Sequence, residues 1–592
     1  MEVTRTFDIL TRLKALYPTK NDILAGKKEG VWIKYSIHDY SEYAHHLASA
    51  FLEMGLQPGD KVITASHNCP HWNFIDMGLN LAGLIHVPIY TTLSPEDYTY
   101  ILTHSDAKLI FLGGESMVRK LVPVIKGISN PMDICTIDPV PGYKNISDIK
   151  EVGKHNLSKW ETQIAYNIAH LDPETIATII YTSGTTGVPK GVMLSHRALV
   201  FVFIGTAIQQ TKNHTHKMLS FLPLCHIYER SMNYEFQYLG ISIYYAEGLG
   251  TIASDAHDIH TDGFCSVPRV LEMMFQKFEA AEKELHGISK KIYRWAFRIG
   301  QQYNYEHNHL WLSIQHFFAD KLVYAKWREK LGGKEMLIVT GGSSIQPRII
   351  RLFSAAKLYI YEGYGMTETA PVIAVNNPKD RIFKIGTVGK VLEGTQVKIA
   401  EDGEILTRGP HLMSGYYKDP EYTQAVIDEE GWFHTGDVGA FVDSIFLKIT
   451  DRKKEIFKLS SGKYIAPQVI ENKLKESSFI ENVMVIGENQ KVASAMIVPN
   501  FAQIRAWAKQ QGLTYTTDDT LIALPQVIQL INKEVDNINQ HLAPHEQIRK
   551  PRLVAEEWSP SNGLLSQSLK LKRASLYQHY AHIVNEIYKS DV

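Results

Sequence analysis

Cysteine is scarce in this chain. Four occur among 592 residues, and Cys69, Cys135, Cys225 and Cys265 lie far apart, with no C-x-x-C pair and no cysteine–histidine cluster of zinc-ligand spacing. A disulfide framework is thereby excluded, and the thiols read as reduced, buried, small hydrophobes. An excess of either charge is also missing: Lys and Arg number 62 against 63 for Asp and Glu, a net charge of −1. Such a balance leaves no footprint for a phosphate backbone and argues against nucleic acid as a main partner, with room only for a local basic patch. Long apolar runs are missing too. The longest, Leu199–Ile208, is about half of the ~20 residues that a membrane-spanning helix needs. The stretch from Met1 to Asp8 has no basic region followed by an apolar one, so no secretory signal is expected. A cytoplasmic protein is expected, with peripheral membrane contact left open. Repeats and low-complexity segments are absent.

What is present is an ordinary globular composition, 44% apolar and 21% charged. At 592 residues the chain exceeds the roughly 250–300 that one core supports, so at least two domains are expected. Short apolar runs alternate with helix-like stretches. Asp60–Ser66, Ile85–Tyr90 and Lys108–Leu112 read as strands, with helices around Trp72–Gly83 and from Pro95 between them. The rhythm returns at Leu337–Thr340 and Leu358–Tyr361, around a helix opened by Pro347. Strand–helix alternation implies parallel sheets covered on both faces. Residues 268–334 are rich in Lys, Glu, Phe, Trp and Tyr and read as a helical insertion. Residues 386–450 carry short strand-like runs and read as a small β-rich subdomain. The expected fold is therefore α/β. It comprises a large N-terminal domain, 1–453, of parallel α/β subdomains with that β-rich subdomain, then a smaller mobile α+β C-terminal domain, 454–592.

The most informative segment runs from Thr178 to His196. An apolar strand ending at Tyr181 feeds Thr182-Ser183-Gly184-Thr185-Thr186-Gly187, with Lys190 three residues further on. The glycines let the backbone bend and present N–H groups, the hydroxyls add donors, and Lys190 adds a compact cation; together they suit a polyphosphate. Neither a G-x-x-x-x-G-K-[ST] loop nor a G-x-G-x-x-G fingerprint occurs. A flexible polar linker is the bland alternative, but a linker needs neither the buried strand before it nor the lysine after it. Ser195 reads as a helix N-cap.

A second constellation is Tyr361-Glu-Gly-Tyr-Gly-Met-Thr-Glu-Thr-Ala-Pro371. Tyr364 offers a ring for a base to stack on, Gly363 and Gly365 leave backbone room, Thr367 can donate to a phosphate, and Glu368 is a hard oxygen ligand suited to Mg²⁺. These two segments, with Gly341-Gly342-Ser343, Gly431–Gly439, Thr450–Lys458 and Leu564–Arg573, resemble in order the signature motifs of the adenylate-forming (AMP-binding) superfamily. The resemblance covers about Asp39 to Arg573. Phe221–Arg230, Phe264–Glu272 and Lys326–Gly333 resemble its long-chain fatty acid–CoA ligase branch.

The resemblance implies two half-reactions, with Mg²⁺ as cofactor and ATP and coenzyme A as co-substrates. A carboxylate first attacks the α-phosphorus of ATP to give an acyl-adenylate and pyrophosphate, and coenzyme A then takes the acyl group and releases AMP. It gives the ATP/AMP site to the 182–187 loop, Lys190, Gly342, Ser343, Gly363, Tyr364, Gly365 and Thr367, with Asp437 and Arg452 for the ribose and phosphate. Glu368 and Thr182 hold the metal. Catalytic roles go to Lys570, Glu368, Thr367 and Arg452, the hinge to Lys454, and the coenzyme A channel to Ser461, Gly462 and Lys463. This chain has Ser566-Gln567-Ser568 where the family often has Thr-Pro-Thr, which leaves Lys570 and Lys572 both open as the catalytic lysine. His226 either lines the carboxylate end of an acyl tunnel or is a packed core histidine. The expected activity is ATP-dependent activation of a long-chain fatty acid as its coenzyme A thioester, by a monomer or homodimer. A ligase for another carboxylic acid or for a carrier protein is the alternative, and a non-catalytic adenylate-binding protein a weaker one.

Overall fold

The computed structural model describes residues 2–183, 188–304, 310–377, 379, 382–566 and 569–589. Its contacts divide the chain into two units. The first holds Met1–Glu272, Phe278–Val397 and Thr407–Phe433; the second holds Met273–Lys277, Lys398–Leu406 and His434–Val592. Residues of the second unit thus begin ahead of Lys454.

The first unit is built on two largely parallel sheets, as the strand–helix rhythm implies. In one, the strands run in the order Gly415–Tyr416, Pro189–Ser195, Ile176–Ser183, Ile85–Pro88, Lys61–Ala65, Leu109–Leu112, Asp133–Thr136 and Lys144–Asn145. Val62, Ile63 and Ala65 are all buried, the continuous apolar run of a strand covered on both faces. Helices Pro70–Leu81 and Pro95–His104 each begin with proline, where the lost N–H costs nothing, and Ser94 Oγ caps the second by accepting from Asp97 N at 3.1 Å. The other sheet includes the adjacent parallel strands Lys217–Ser220, Gly263–Ser266, Met336–Thr340 and Leu358–Tyr364. Pro268–Ala281, Gly287–Gln301, Leu310–Ala319 and Ala325–Glu329 are successive helices.

One departure bears on the site. The strand expected to end at Tyr181 continues to Ser183 and folds back antiparallel through Pro189–Ser195, pairing Thr182 with Lys190. Lys190 therefore stands on a strand. Val192 and Leu194, two residues apart and both fully buried, give this segment strand periodicity. Ser195 caps the helix His196–Gln209 as expected, accepting from Ala198 N at 3.2 Å.

A buried polar cluster fixes the helix Ile227–Tyr238 against Pro70–Leu81. Arg230 pairs with Asp76, and His86 (2.7 Å) and Tyr234 (2.5 Å) hydrogen-bond to the same carboxylate. Burial alone would raise the Asp76 pKa, but Arg230, His86 and Tyr234 outweigh it and hold it at about 2.

In the second unit, Phe433–Val442 and Phe446–Arg452 form an antiparallel pair. A short hairpin, Phe457–Lys458 with Tyr464–Ile465, follows, then a three-stranded sheet of Ile480–Ile486, Ser494–Pro499 and Arg552–Leu553. Helices Pro467–Leu474, Phe501–Gln510 and Pro525–Asn539 contribute Ile470, Ile504 and Ile531 to the core of that sheet. The four cysteines are free.

Candidate active site

Two neighbouring parallel strands of the first unit end together. Thr340 pairs with Glu362, so Gly341-Gly342-Ser343 leaves the sheet beside Gly363-Tyr364-Gly365. The carboxyl ends of parallel strands are where such sheets leave room for ligands. A cavity of ≈ 770 Å³ of empty space, its open mouth included, lies there. Gly341, Gly342, Gly363, Tyr364 and Gly365 line one part; Tyr228, Met232, Leu337, Val339, Val372 and Val375 make the remaining wall largely apolar. Gly365 has no alternative: a Cβ there would run into the carbonyl oxygen of Pro371.

His226 lies on the same wall and caps the helix Ile227–Tyr238, its Nδ1 accepting from Tyr228 N at 3.1 Å. It is partly buried there, so it is a cavity-wall residue that also caps a helix and is not a fully packed core histidine. The same helix carries two buried carboxyls. Glu235 lines the cavity, and burial pushes its pKa up to about 7. Glu229 accepts from Ser220 Oγ at 2.6 Å, and burial pushes it up to about 8. Both are held toward the neutral form.

Thr367 opens a single helical turn, and Glu368 follows it, half-buried. Tyr416 Oη donates to Glu368 Oε1 at 2.8 Å, and Met413 N donates to the Glu368 carbonyl at 2.9 Å. Burial and the adjacent carboxylate raise the Tyr416 pKa, so the phenol stays a donor. Lys190 packs its ammonium against the Tyr422 ring and lies 5.5 Å from the Tyr416 ring centroid. The lysine of the first motif and the glutamate of the second therefore share one tyrosine. Thr182 sits opposite Lys190; the side chain of Ser183 and all of Gly184, Thr185, Thr186 and Gly187 lie outside the described residues.

The remaining motif residues belong to the second unit. Asp437 and Arg452 are cross-strand partners, with Arg452 Nε 3.3 Å from Asp437 Oδ1. Lys454 is exposed in the turn that follows. Ser461, Gly462 and Lys463 form the exposed tip of the hairpin at 457–465. Gly462 has φ +79°, so the turn itself demands glycine there. Lys570 N donates to Ser566 Oγ at 3.0 Å, and Lys572 is the N-cap residue of the helix Arg573–His579. Arg573 anchors that segment through Glu455 (2.8 Å) and Glu471 (2.7 Å).

Comparison with known proteins places a large N-terminal part and a smaller C-terminal part of the chain in one family. Residues 16–417 match the AMP-binding enzyme family, and residues 454–592 match the AMP-binding enzyme C-terminal domain. The chain belongs to the AMP-binding enzyme family. Its relatives include peroxisomal long chain acyl-CoA synthetase 7 of Arabidopsis thaliana, 29% identical over 95% of this chain and 83% of that protein. Another is long-chain-fatty-acid–CoA ligase 1 of Cavia porcellus, 30% identical over 94% of this chain and 82% of that protein. Among solved structures, the adenylation domain of a Mycobacterium chelonae carboxylate reductase superimposes with a TM-score of 0.75 at 20% identity, covering 99% of this chain and 91% of that one. The family read from the motifs is thus borne out, along with its long-chain fatty acid–CoA ligase branch, and this AMP-binding enzyme is a ligase.

Two site residues escaped the motif reading. Tyr416 and Tyr422 lie outside every quoted motif, and Tyr416 reaches Glu368 only because Gly415–Tyr416 pairs with Val192 and Met193. The donor set also bears on magnesium. Among the described residues no three His, Cys, Asp or Glu side chains cluster as a metal cage. Magnesium that arrives on a nucleotide keeps its waters and phosphate oxygens and needs only one or two protein oxygens, a demand that the chemistry of a carboxylate such as Glu368 and a hydroxyl such as Thr182 would meet.

Proposed function

We propose that this enzyme activates a long-chain fatty acid with ATP through an acyl-adenylate and transfers the acyl group to coenzyme A, releasing AMP and pyrophosphate. The observation that carries the reading is the apolar cavity running directly from the glycines and Tyr364 of the nucleotide motifs. An acyl chain there gains about 0.8 kcal/mol for each CH₂ taken from water, with its carboxylate end toward Gly341, Gly342 and Gly363–Gly365 in this reading.

The chemical difficulty is the approach of a carboxylate to a phosphate, two anions, so fixed cations and dipoles set the rate. In this reading Lys190, Thr182 and Thr367 hold the phosphates, and Tyr364 stacks on the base. Asp437 accepts from the ribose hydroxyls, and Arg452 reaches a ribose or phosphate oxygen. Magnesium held by Glu368 and Thr182 supplies neutralisation of phosphate charge when bound. Lys570 supplies the cation between carboxylate and phosphate. The second half-reaction uses Ser461, Gly462 and Lys463 beside the thiol arm, with Lys454 as the hinge between steps. A cytoplasmic location is proposed with this activity.

The test is pyrophosphate exchange across acids of graded length together with aryl acids, followed by thioester formation with free coenzyme A. Exchange is expected to be strongest with long saturated or monounsaturated acids. Stronger exchange with aryl or short acids, or none with any, overturns the assignment.

A further inference from the structure

The helix Leu310–Ala319 is amphipathic in the inverted sense. Its inward positions, at spacings of three and four, are Leu312, Gln315, His316 and Ala319. Two of them spend polar groups on the protein: Trp295 Nε1 donates to Gln315 Oε1 at 3.2 Å, and His316 Nε2 lies 2.6 Å from the Ala355 carbonyl oxygen. The outward face carries Leu310, Trp311, Ile314, Phe317 and Phe318, joined by Leu322 in the next turn, with exposures of 80, 69, 42, 54, 52 and 46%. Single exposed hydrophobics need no explanation, but six on one face mark a surface that is covered in use.

The charge around this face says what covers it. From Gly287 to Lys334 the chain has nine Lys or Arg against three Asp or Glu, a surplus of six in a chain whose net charge is −1. Lys291, Arg294 and Arg298 are exposed on the adjoining helix Gly287–Gln301, and Lys321, Lys326 and Lys330 are exposed beyond the apolar face. Lys321 Nζ lies 4.7 Å from the Phe317 ring centroid, so cation and aromatic are interleaved. A second copy of the chain seated here would bring a matching positive surplus against this one. An anionic bilayer surface satisfies both features, since rings settle at the boundary of headgroup and acyl chain while lysines meet phosphates. Among the described residues no helix is long and apolar enough to cross a membrane, so the contact is with the surface.

We propose that the outward face of Leu310–Ala319, with Leu322 and its lysine fringe, docks the enzyme on an anionic lipid bilayer. The experiment is co-sedimentation of the full chain with vesicles of phosphatidylcholine alone and of phosphatidylcholine containing about a third phosphatidylserine. The full chain is expected to bind the anionic vesicles, and to bind them less as salt rises. Replacing Trp311, Phe317 and Phe318 together by serine is expected to weaken binding roughly a hundredfold, with an unchanged melting midpoint because these side chains are exposed. As a second variant that keeps the apolar face, Lys321→Glu with Lys326→Glu is expected to abolish the preference for anionic lipid. The proposal is overturned if the native chain binds neither vesicle, or if the triple variant binds as tightly as the native chain. It is also overturned if that variant instead dissolves a lipid-free dimer. None of these readouts depends on the acid the enzyme activates.

Discussion

Glu229→Gln isolates one buried carboxyl, and its consequence for stability has a definite sign. Glu229 is 1% exposed, its Oε1 accepts from Ser220 Oγ at 2.6 Å, and its Oε2 has no hydrogen-bond partner. Burial pushes its pKa from an ordinary 4.5 to about 8. The folded protein therefore holds a proton that the unfolded chain releases above about 4.5, and stability falls as pH rises toward 8. At about 1.4 kcal/mol per pH unit, the upper limit of that loss is roughly 5 kcal/mol. Glutamine stays neutral at every pH, but its amide N–H₂ lies where no acceptor waits, costing about 1–3 kcal/mol. The expected pattern is a variant less stable than the native protein at about pH 4.5, with the difference shrinking and then reversing by about pH 8.5. Glu235, Glu362 and Asp451, also raised by burial to about 7, 8 and 6, slope the same way in both proteins and cancel in the difference. His71 and His411, lowered by burial to about 4, cancel likewise on the acid side. Thermal or denaturant midpoints across this range measure it. Parallel curves for the two proteins would show that Glu229 is ionised in the fold and sink the argument.

Tyr416→Phe removes the donor to Glu368 without changing volume. A half-buried, charge-assisted bond of this kind contributes about 1 kcal/mol, so pyrophosphate exchange should fall roughly fivefold and need more magnesium; an unchanged magnesium titration would refute the coupling. Gly365→Ala must displace the Pro371 carbonyl, with an expected loss of about 1–3 kcal/mol in stability and weakened AMP binding; a native-like midpoint and affinity would count against the tight approach. Lys570→Ala is expected to abolish adenylate formation while sparing thioester formation from supplied acyl-adenylate, with Lys572→Ala nearly silent. Equal loss of both steps in the Lys570 variant, or the reverse order of the two lysines, would reassign the role.

Much of the site was legible because its demands are local. A polyphosphate needs glycines, hydroxyls and a lysine close in sequence, and Tyr364, Thr367 and Glu368 sit within one strand end and one turn. Strand positions were legible for the same reason: Lys61–Ala65 and Leu109–Leu112 are apolar on both faces because both faces are covered. The strand carrying Lys190 was not legible, because the glycines and proline around it carry no strand signal, whereas burial of Val192 and Leu194 makes it a strand.

By itself, then, the sequence determined the order of motifs, the alternation that dictates parallel sheets, and the chemical class of groups gathered for a nucleotide. Only the tertiary structure decided that Gly415–Tyr416 pairs beside Lys190, that Met232, Val339 and Val375 share one wall, and that Leu310–Ala319 turns its aromatic side outward. Pairing partners and helix rotation depend on surfaces contributed by residues far apart along the chain. No local pattern specifies which of several apolar faces will find a neighbour and which will be left to meet something else.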